Sequence, residues 1–241
     1  MNKKAVFALV IAIAIPVISY FILKNAAENA VVMPRRYYID SVVTKTANGK
    51  TTTDTVWHKT ENITLVNQLG DTVSLYDIQN RVIVADFFFT RCPSICPKLT
   101  ANMARLQQSF AKNNVGRKVI DSSIVTFLSF SIDPERDSVA ALKKYADKFR
   151  VNHDNWWMLT GNKKSIYDFA LNEMKLGLVD GESVDTSYIH TQKFVLLDKE
   201  YVVRGYYDGL DTTSLASLAE DIGLLLLEKD KNRKFNIFQP Q

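Results

Sequence analysis

From Val82 to Phe89 the chain reads Val-Ile-Val-Ala-Asp-Phe-Phe-Phe, an apolar run interrupted only by Asp86. A short run of this kind, rich in β-branched and aromatic residues, reads as a central buried strand. Asp86 is the anomaly within it, because a buried carboxylate without a partner is costly. It faces either a polar partner or the rim of the sheet, and the sequence does not decide between them. The run leads directly into Thr90-Arg91-Cys92-Pro93-Ser94-Ile95-Cys96-Pro97, which contains both cysteines of the chain.

Around this strand, strands and helices alternate. Ile63 to Asn67 and Thr72 to Leu75 are short strands on either side of a Gly70-Asp71 turn. From Pro97 a helix is expected, with Leu99, Met103, Leu106 and Phe110 on one face. Met103 reads as core, not as a thioether ligand. Ser123 to Ile132 is a second buried strand, and Asp137 is placed to cap a helix running to about Phe149. Trp156 to Leu159 is a strand, Lys164 to Met174 a helix, and residues 175–190 a connection long enough to suggest function. Gln192 to Leu197 and Tyr201 to Tyr206 form a hairpin, and Asp211 caps a last helix. This order predicts an α/β, thioredoxin-like fold, a mixed central sheet flanked by helices. In such a sheet Cys92, Cys96 and Asp133 follow parallel strands, and His190 precedes an antiparallel one. All four can therefore meet at one rim.

Upstream, residues 5–23 carry no charge and follow Lys3 and Lys4. As a helix they would reach about 28 Å, close to the roughly 30 Å of a bilayer core. They read as an uncleaved N-terminal transmembrane helix, since Lys24 and Ala26-Ala27-Glu28-Asn29-Ala30 make a poor cleavage site. Two β-rich runs, Tyr37 to Thr46 and Thr51 to Trp57, flank Asn48-Gly49, the signature of a hairpin. An extended tether is the other reading. Of the 30 basic residues, 27 lie beyond Lys24 against 26 acidic ones, a balance of +1 over 25–241. That near-neutrality gives no electrostatic footprint for nucleic acid.

Two cysteines at i and i+4 near a helix start can form a disulfide, hold one metal ion while reduced, or merely staple the fold. Arg91 and the helix N-terminus both favour a thiolate. His58 and His153 read as surface residues, Arg136 as part of a turn ion pair and Asp137 as a helix cap. A peroxidase of the peroxiredoxin type would place Thr where Phe89 stands. A zinc site of two Cys, one His and water would lack the acid–base partner of a hydrolase.

The segment Thr90 to Pro97 resembles the signature of the Sco/SenC copper-protein family. Asp133-Pro134-Glu135-Arg136-Asp137, Tyr188-Ile189-His190-Thr191 and Gly205-Tyr206-Tyr207-Asp208-Gly209 resemble three further motifs of that family, in order. Ile189 departs from the pattern, standing where many relatives have Asp. The resemblance implies a copper chaperone that assists assembly of the dinuclear copper centre of cytochrome c oxidase subunit II. Cys92, Cys96 and His190 would be the ligands of Cu(I) or Cu(II), with Asp133 and Arg91 beside them. The expected organisation is a cytoplasmic N-terminus at 1–4, the transmembrane anchor at 5–23 and a linker with the hairpin at 24–59. A Sco domain follows at 60–229 and a tail at 230–241. The chain would cross the bacterial cytoplasmic membrane once, its soluble domain facing the periplasm, with an unidentified copper donor and thiol reductant as further partners. The rival reading is a thiol–disulfide oxidoreductase in which Cys92 and Cys96 are catalytic and reduce the cysteines of the oxidase subunit before metallation.

Overall fold

The computed structural model describes residues 3–30, 32–47, 50–110, 125–179 and 191–228. It divides into two units, Met1–Met33 and Pro34–Gln241. The first consists of helix α1, Lys3–Ala30, which contains Pro16. The expected helix over 5–23 thus forms, but a membrane span is not shown. Among the described residues no helix is long and apolar enough to cross a membrane.

The second unit opens with the expected hairpin, β1 (Ile39–Ala47) paired antiparallel to β2 (Lys50–Trp57). Its main body is a seven-stranded mixed sheet. The strands are β3 (Thr64–Asn67), β4 (Thr72–Ser74), β5 (Val82–Phe88), β6 (Val125–Ser131), β7 (Trp156–Thr160), β8 (Lys193–Leu197) and β9 (Val203–Asp208). They lie in the order β4-β3-β7-β6-β5-β8-β9, with β5, β6 and β7 parallel and β8 antiparallel to β5. The helices are α2 (Cys96–Ser109), α3 (Val139–Lys148), α4 (Lys163–Asp168), α5 (Leu176–Val179) and α6 (Thr212–Leu227).

Every residue of β5 is buried because both faces of the sheet are covered. Successive side chains alternate, so Val82, Val84 and Phe88 join one core with Leu99 and Met103 of α2, Leu142 of α3 and Ile222 of α6. Ile83, Ala85 and Phe87 join the opposite core with Ile166 of α4 and Phe169, Ala170 and Met174 after it. Met103 is core, as expected, with no exposed surface.

Three local expectations are corrected. Asp137 does not cap α3. Ser138 does, its hydroxyl accepting from the Ala141 amide at 3.3 Å, because Asp137 is drawn inward by stronger partners described below. The helix expected over 164–174 is α4, capped by Asn162, followed by a π-helical turn at Phe169–Glu173. The first part of the long connection is helical as α5, and the rest of 175–190 lies outside the described residues. Asp211 caps α6 as expected, accepting from Ser214 N at 2.8 Å.

Candidate metal centre

The cysteine turn begins where β5 ends, and its near side is firmly held. Thr90 donates to Asp137 through both its amide (3.1 Å) and its hydroxyl (2.5 Å), and Ser131 Oγ donates to the same carboxylate at 2.6 Å. Asp137 is fully buried, so these charge-assisted bonds satisfy a carboxylate that water cannot reach. This role outweighs a surface cap, and the capping position passes to Ser138. The main chain adds Ile132 N to Phe88 O at 2.9 Å and Cys92 N to Phe89 O at 3.2 Å.

After Pro93 and Ser94 the chain enters α2, with Cys96 as its first helical residue and Pro97 in its first turn. Both thiols are free and buried. The Cys96 amide donates to Cys92 Sγ at 3.4 Å, and Ser94 Oγ lies 3.9 Å from the same sulfur. Burial pushes the Cys92 thiol up, but the Cys96 thiol and amide and the Ser94 amide and hydroxyl outweigh it and bring the pKa down to about 7. Cys96 moves the other way, to about 12, through burial first, then its thiol contact with Cys92 and the negative charges of Cys92 and Asp86. The pair is therefore asymmetric. Cys92 is the ready thiolate, and Cys96 holds its proton until a metal or a disulfide partner displaces it.

Beneath the pair lie two groups that sequence reading did not place. Asp86 follows the alternation of β5 onto the face of Val82, Val84 and Phe88, toward α2 and away from the open rim. Tyr145 of α3 is buried at a hydroxyl contact of 3.1 Å with Thr100, which in turn donates to Cys96 O at 2.9 Å. Burial first, then the charges of Cys96, Asp86 and Cys92, push the Tyr145 phenol well above its ordinary range, against the lowering effect of the Thr100 hydrogen bond. Its position on α3 at helical spacing with Leu142 and Phe149 signalled burial, but not proximity to the cysteines.

The other expected site residues are placed as follows. Asp133 stands just past the end of β6, in register with the end of β5, as Phe88 pairs with Ser131. It is buried, and its carboxylate is turned to Arg136 at 3.8 Å, the expected turn ion pair. Arg91 is exposed on the turn itself. His190 lies outside the described residues. Its neighbour Thr191 is buried, and Thr191 Oγ1 accepts from Lys193 N at 3.1 Å at the start of β8. Because β8 runs antiparallel to β5, it starts at the edge where β5 ends.

His153 and His58 are not simple surface residues. His153 Nδ1 meets the Gln68 side-chain amide at 2.9 Å, and its Nε2 lies 3.4 Å from Asp147. His58 lies between two carboxylates, Asp40 at 2.9 Å and Glu173 at 3.1 Å. Among the described residues no group of three or more His, Cys, Asp or Glu could hold a metal ion.

A family profile described as SCO1/SenC matches residues 52–225. The SCO1 protein homolog of Bacillus subtilis is 35% identical over 175 residues, covering 72% of this chain and 86% of that protein. Among solved structures, BsSco, described as a Sco-family cytochrome c oxidase assembly protein with a disulfide switch, superposes with a TM-score of 0.58. It is 33% identical and covers 71% of this chain and 95% of its own. The copper-bound ScoI of Bradyrhizobium japonicum shares the fold at a TM-score of 0.52 and 20% identity, over 69% of this chain and 98% of its own. With the profile spanning most of its length and a relative of this similarity, the chain belongs to the SCO1/SenC family.

Proposed function

We propose that this chain is a copper chaperone that binds one copper ion and delivers it to the dinuclear centre of cytochrome c oxidase subunit II. Copper is its cargo. The observation that carries the reading is the reduced, buried Cys92–Cys96 pair at the head of α2, with one thiol already poised as a thiolate. Two soft sulfurs suit Cu(I), and an imidazole from His190 would extend the set to Cu(II). Neutral His190 with two thiolates would leave a Cu(I) site at −1, which the exposed Arg91 can offset. Asp133 would act from the neighbouring strand end. Loss of the imidazole would leave copper on two sulfurs, open to exchange with the receiving subunit. Copper-bound ScoI and the oxidase-assembly description of BsSco are properties of relatives that agree with this reading.

Attachment to the bacterial cytoplasmic membrane through residues 5–23, with Pro34–Gln241 on the periplasmic side, belongs to the same proposal. Its support is the uncharged run after Lys3 and Lys4, read over the whole sequence. A copper donor and a thiol reductant complete the partners of this proposal.

The test is competitive Cu(I) titration of the reduced full chain in detergent, with Cu(II) absorption followed in parallel. One-to-one binding that is abolished in Cys92→Ser and weakened at least about tenfold in His190→Ala is expected. Unchanged affinity and transfer rate in His190→Ala would remove that ligand from the proposal.

A second reading is favoured by the asymmetry of the thiols: a thiol–disulfide oxidoreductase with Cys92 as attacking sulfur. Alkylation of the metal-free, reduced chain should then show one cysteine titrating near about pH 7 and the other unreactive there. Rapid disulfide-reductase turnover without copper affinity would make this the primary role.

A further inference from the structure

His58 stands just beyond β2, at the base of the β1–β2 hairpin, with its side chain one-fifth exposed. Its Nδ1 faces Asp40 Oδ1 of β1 at 2.9 Å, and its Nε2 faces Glu173 Oε2 at the end of the π-helical turn at 3.1 Å. Its backbone amide also donates to Tyr38 O at 2.9 Å, closing the two legs of the hairpin. Glu173 Oε2 is shared with the Glu61 amide at 2.8 Å, so that carboxylate is fixed from a second direction. Among the described residues this trio is not a group that could hold a metal ion, and what joins it is hydrogen bonding.

The geometry sets the proton count. A neutral imidazole has one N–H and one lone pair. With a carboxylate oxygen opposite each nitrogen, a neutral ring would turn its lone pair toward a negatively charged acceptor. Only the imidazolium donates in both directions. Asp40 and Glu173 are the charged groups facing the ring, one from β1 and one from the π-helical turn, and Lys59 beside it is exposed.

We infer that His58 is a proton-operated latch that fastens the base of the β1–β2 hairpin to the π-helical turn of the main body. With the ring doubly protonated, Asp40 and Glu173 are bridged and the hairpin is held. When the ring loses one proton, one bridge becomes a repulsive contact and the hairpin loosens. A second link to the same turn is independent of this proton. Tyr38 OH lies 2.8 Å from Tyr206 OH, which donates to Met174 O at 2.8 Å. Burial first, then the Tyr38 contact, holds the Tyr206 phenol far above its ordinary range, so that link persists. The latch therefore changes how tightly the hairpin is held without detaching it. It involves neither cysteine and stands or falls apart from the copper reading.

The test is hydrogen exchange by mass spectrometry on the full chain in detergent, metal-free and reduced, over about pH 5 to 8, the range in which imidazole changes charge. Rates are corrected for base-catalysed chemical exchange. In the wild type, opening of peptides spanning 37–58 and 169–176 should rise with pH by up to about tenfold per unit, the limit for release of one proton. Glu173→Gln should flatten the profile while keeping the hairpin closed, because a neutral amide can pair with a neutral ring. His58→Phe should flatten it in the open state. Should His58→Phe fail to fold, Asp40→Asn replaces it, with a reduced slope expected. A flat wild-type profile, or an unchanged slope in Glu173→Gln, would overturn the latch.

Discussion

Asp86 has less than 3% of its surface exposed, and neither carboxylate oxygen has a hydrogen-bond partner. Burial pushes its pKa from 3.8 up to about 7. Ser129, opposite it on β6, acts the other way, but its hydroxyl accepts from Trp156 Nε1 at 2.9 Å and makes no hydrogen bond to the carboxylate. The folded chain therefore holds this proton more tightly than the unfolded chain. Stability from that proton is complete below about pH 4 and is lost as pH rises to about 7. At 1.36 kcal/mol per unit, a shift of about three units amounts to roughly 4 kcal/mol. Asp86→Asn should accordingly match the wild type in urea unfolding near pH 4 and exceed it by up to about 4 kcal/mol near pH 8. Equal stability at both pH values would show that the carboxylate has found a partner. The sequence marked Asp86 as anomalous, but the choice between rim and interior waited on strand register. Asp137 shows the converse. Its residue type suits a helix cap and a buried anchor equally, and only its distances to Thr90 and Ser131 distinguish the two.

Helix α2, which begins at Cys96, comes within close contact of Gly209, just past the end of β9. A Cβ on Gly209 would come within 2.5 Å of Leu99 Cδ2 and 2.9 Å of the Phe194 ring. The same residue is pinned by its own amide to Gln192 O at 2.8 Å and by Asn102 Nδ2 to its carbonyl at 2.7 Å. Gly209→Ala should therefore cost about 1–3 kcal/mol, the range for overpacking a filled core. By shifting the helix, it should also change cysteine alkylation rates, whereas a substitution at the open Gly223 should not. A thermal melt and an alkylation time course on both variants check this. The elements themselves were legible where periodicity was strong. The β5 run reads as a buried strand because both of its faces are covered, and α2 reads as a helix because its apolar residues fall on one face. The π-helical turn was not legible, since its residues Phe169–Glu173 continue the spacing of an ordinary helix.

Across the whole second unit, Arg204 ties β9 to three other segments. Its guanidinium, almost wholly buried, meets Asp198 at 2.9 Å and Glu228 at 2.7 Å, and also donates to Pro34 O at 3.1 and 2.5 Å. Arg204→Ala would strand the buried Asp198 carboxylate and leave the Pro34 carbonyl unpaired. A loss of about 3–5 kcal/mol is expected, with Arg36, 3.9 Å from Asp198, offsetting part of it. Denaturant unfolding reads the loss, and earlier proteolysis ahead of Tyr37 would mark release of the leading segment. None of this network was visible in the sequence, where its members are separated by up to 194 positions. The candidate site was legible only in part. The cysteines sit at the expected rim, Asp133 is on it but turned to Arg136, and His190 rests on the motif alone.

The cysteine turn is fixed unequally at its two ends. Thr90, clamped by Asp137, ties the near end to the sheet, whereas the far end is the opening turn of α2. Any sulfur–sulfur bond or metal that draws Cys92 and Cys96 together must therefore take up its movement in Pro93–Ile95 and the first turn of α2. The sheet would serve as the fixed jaw of a vice, and the cysteine turn with the first helical turn as the side that adjusts.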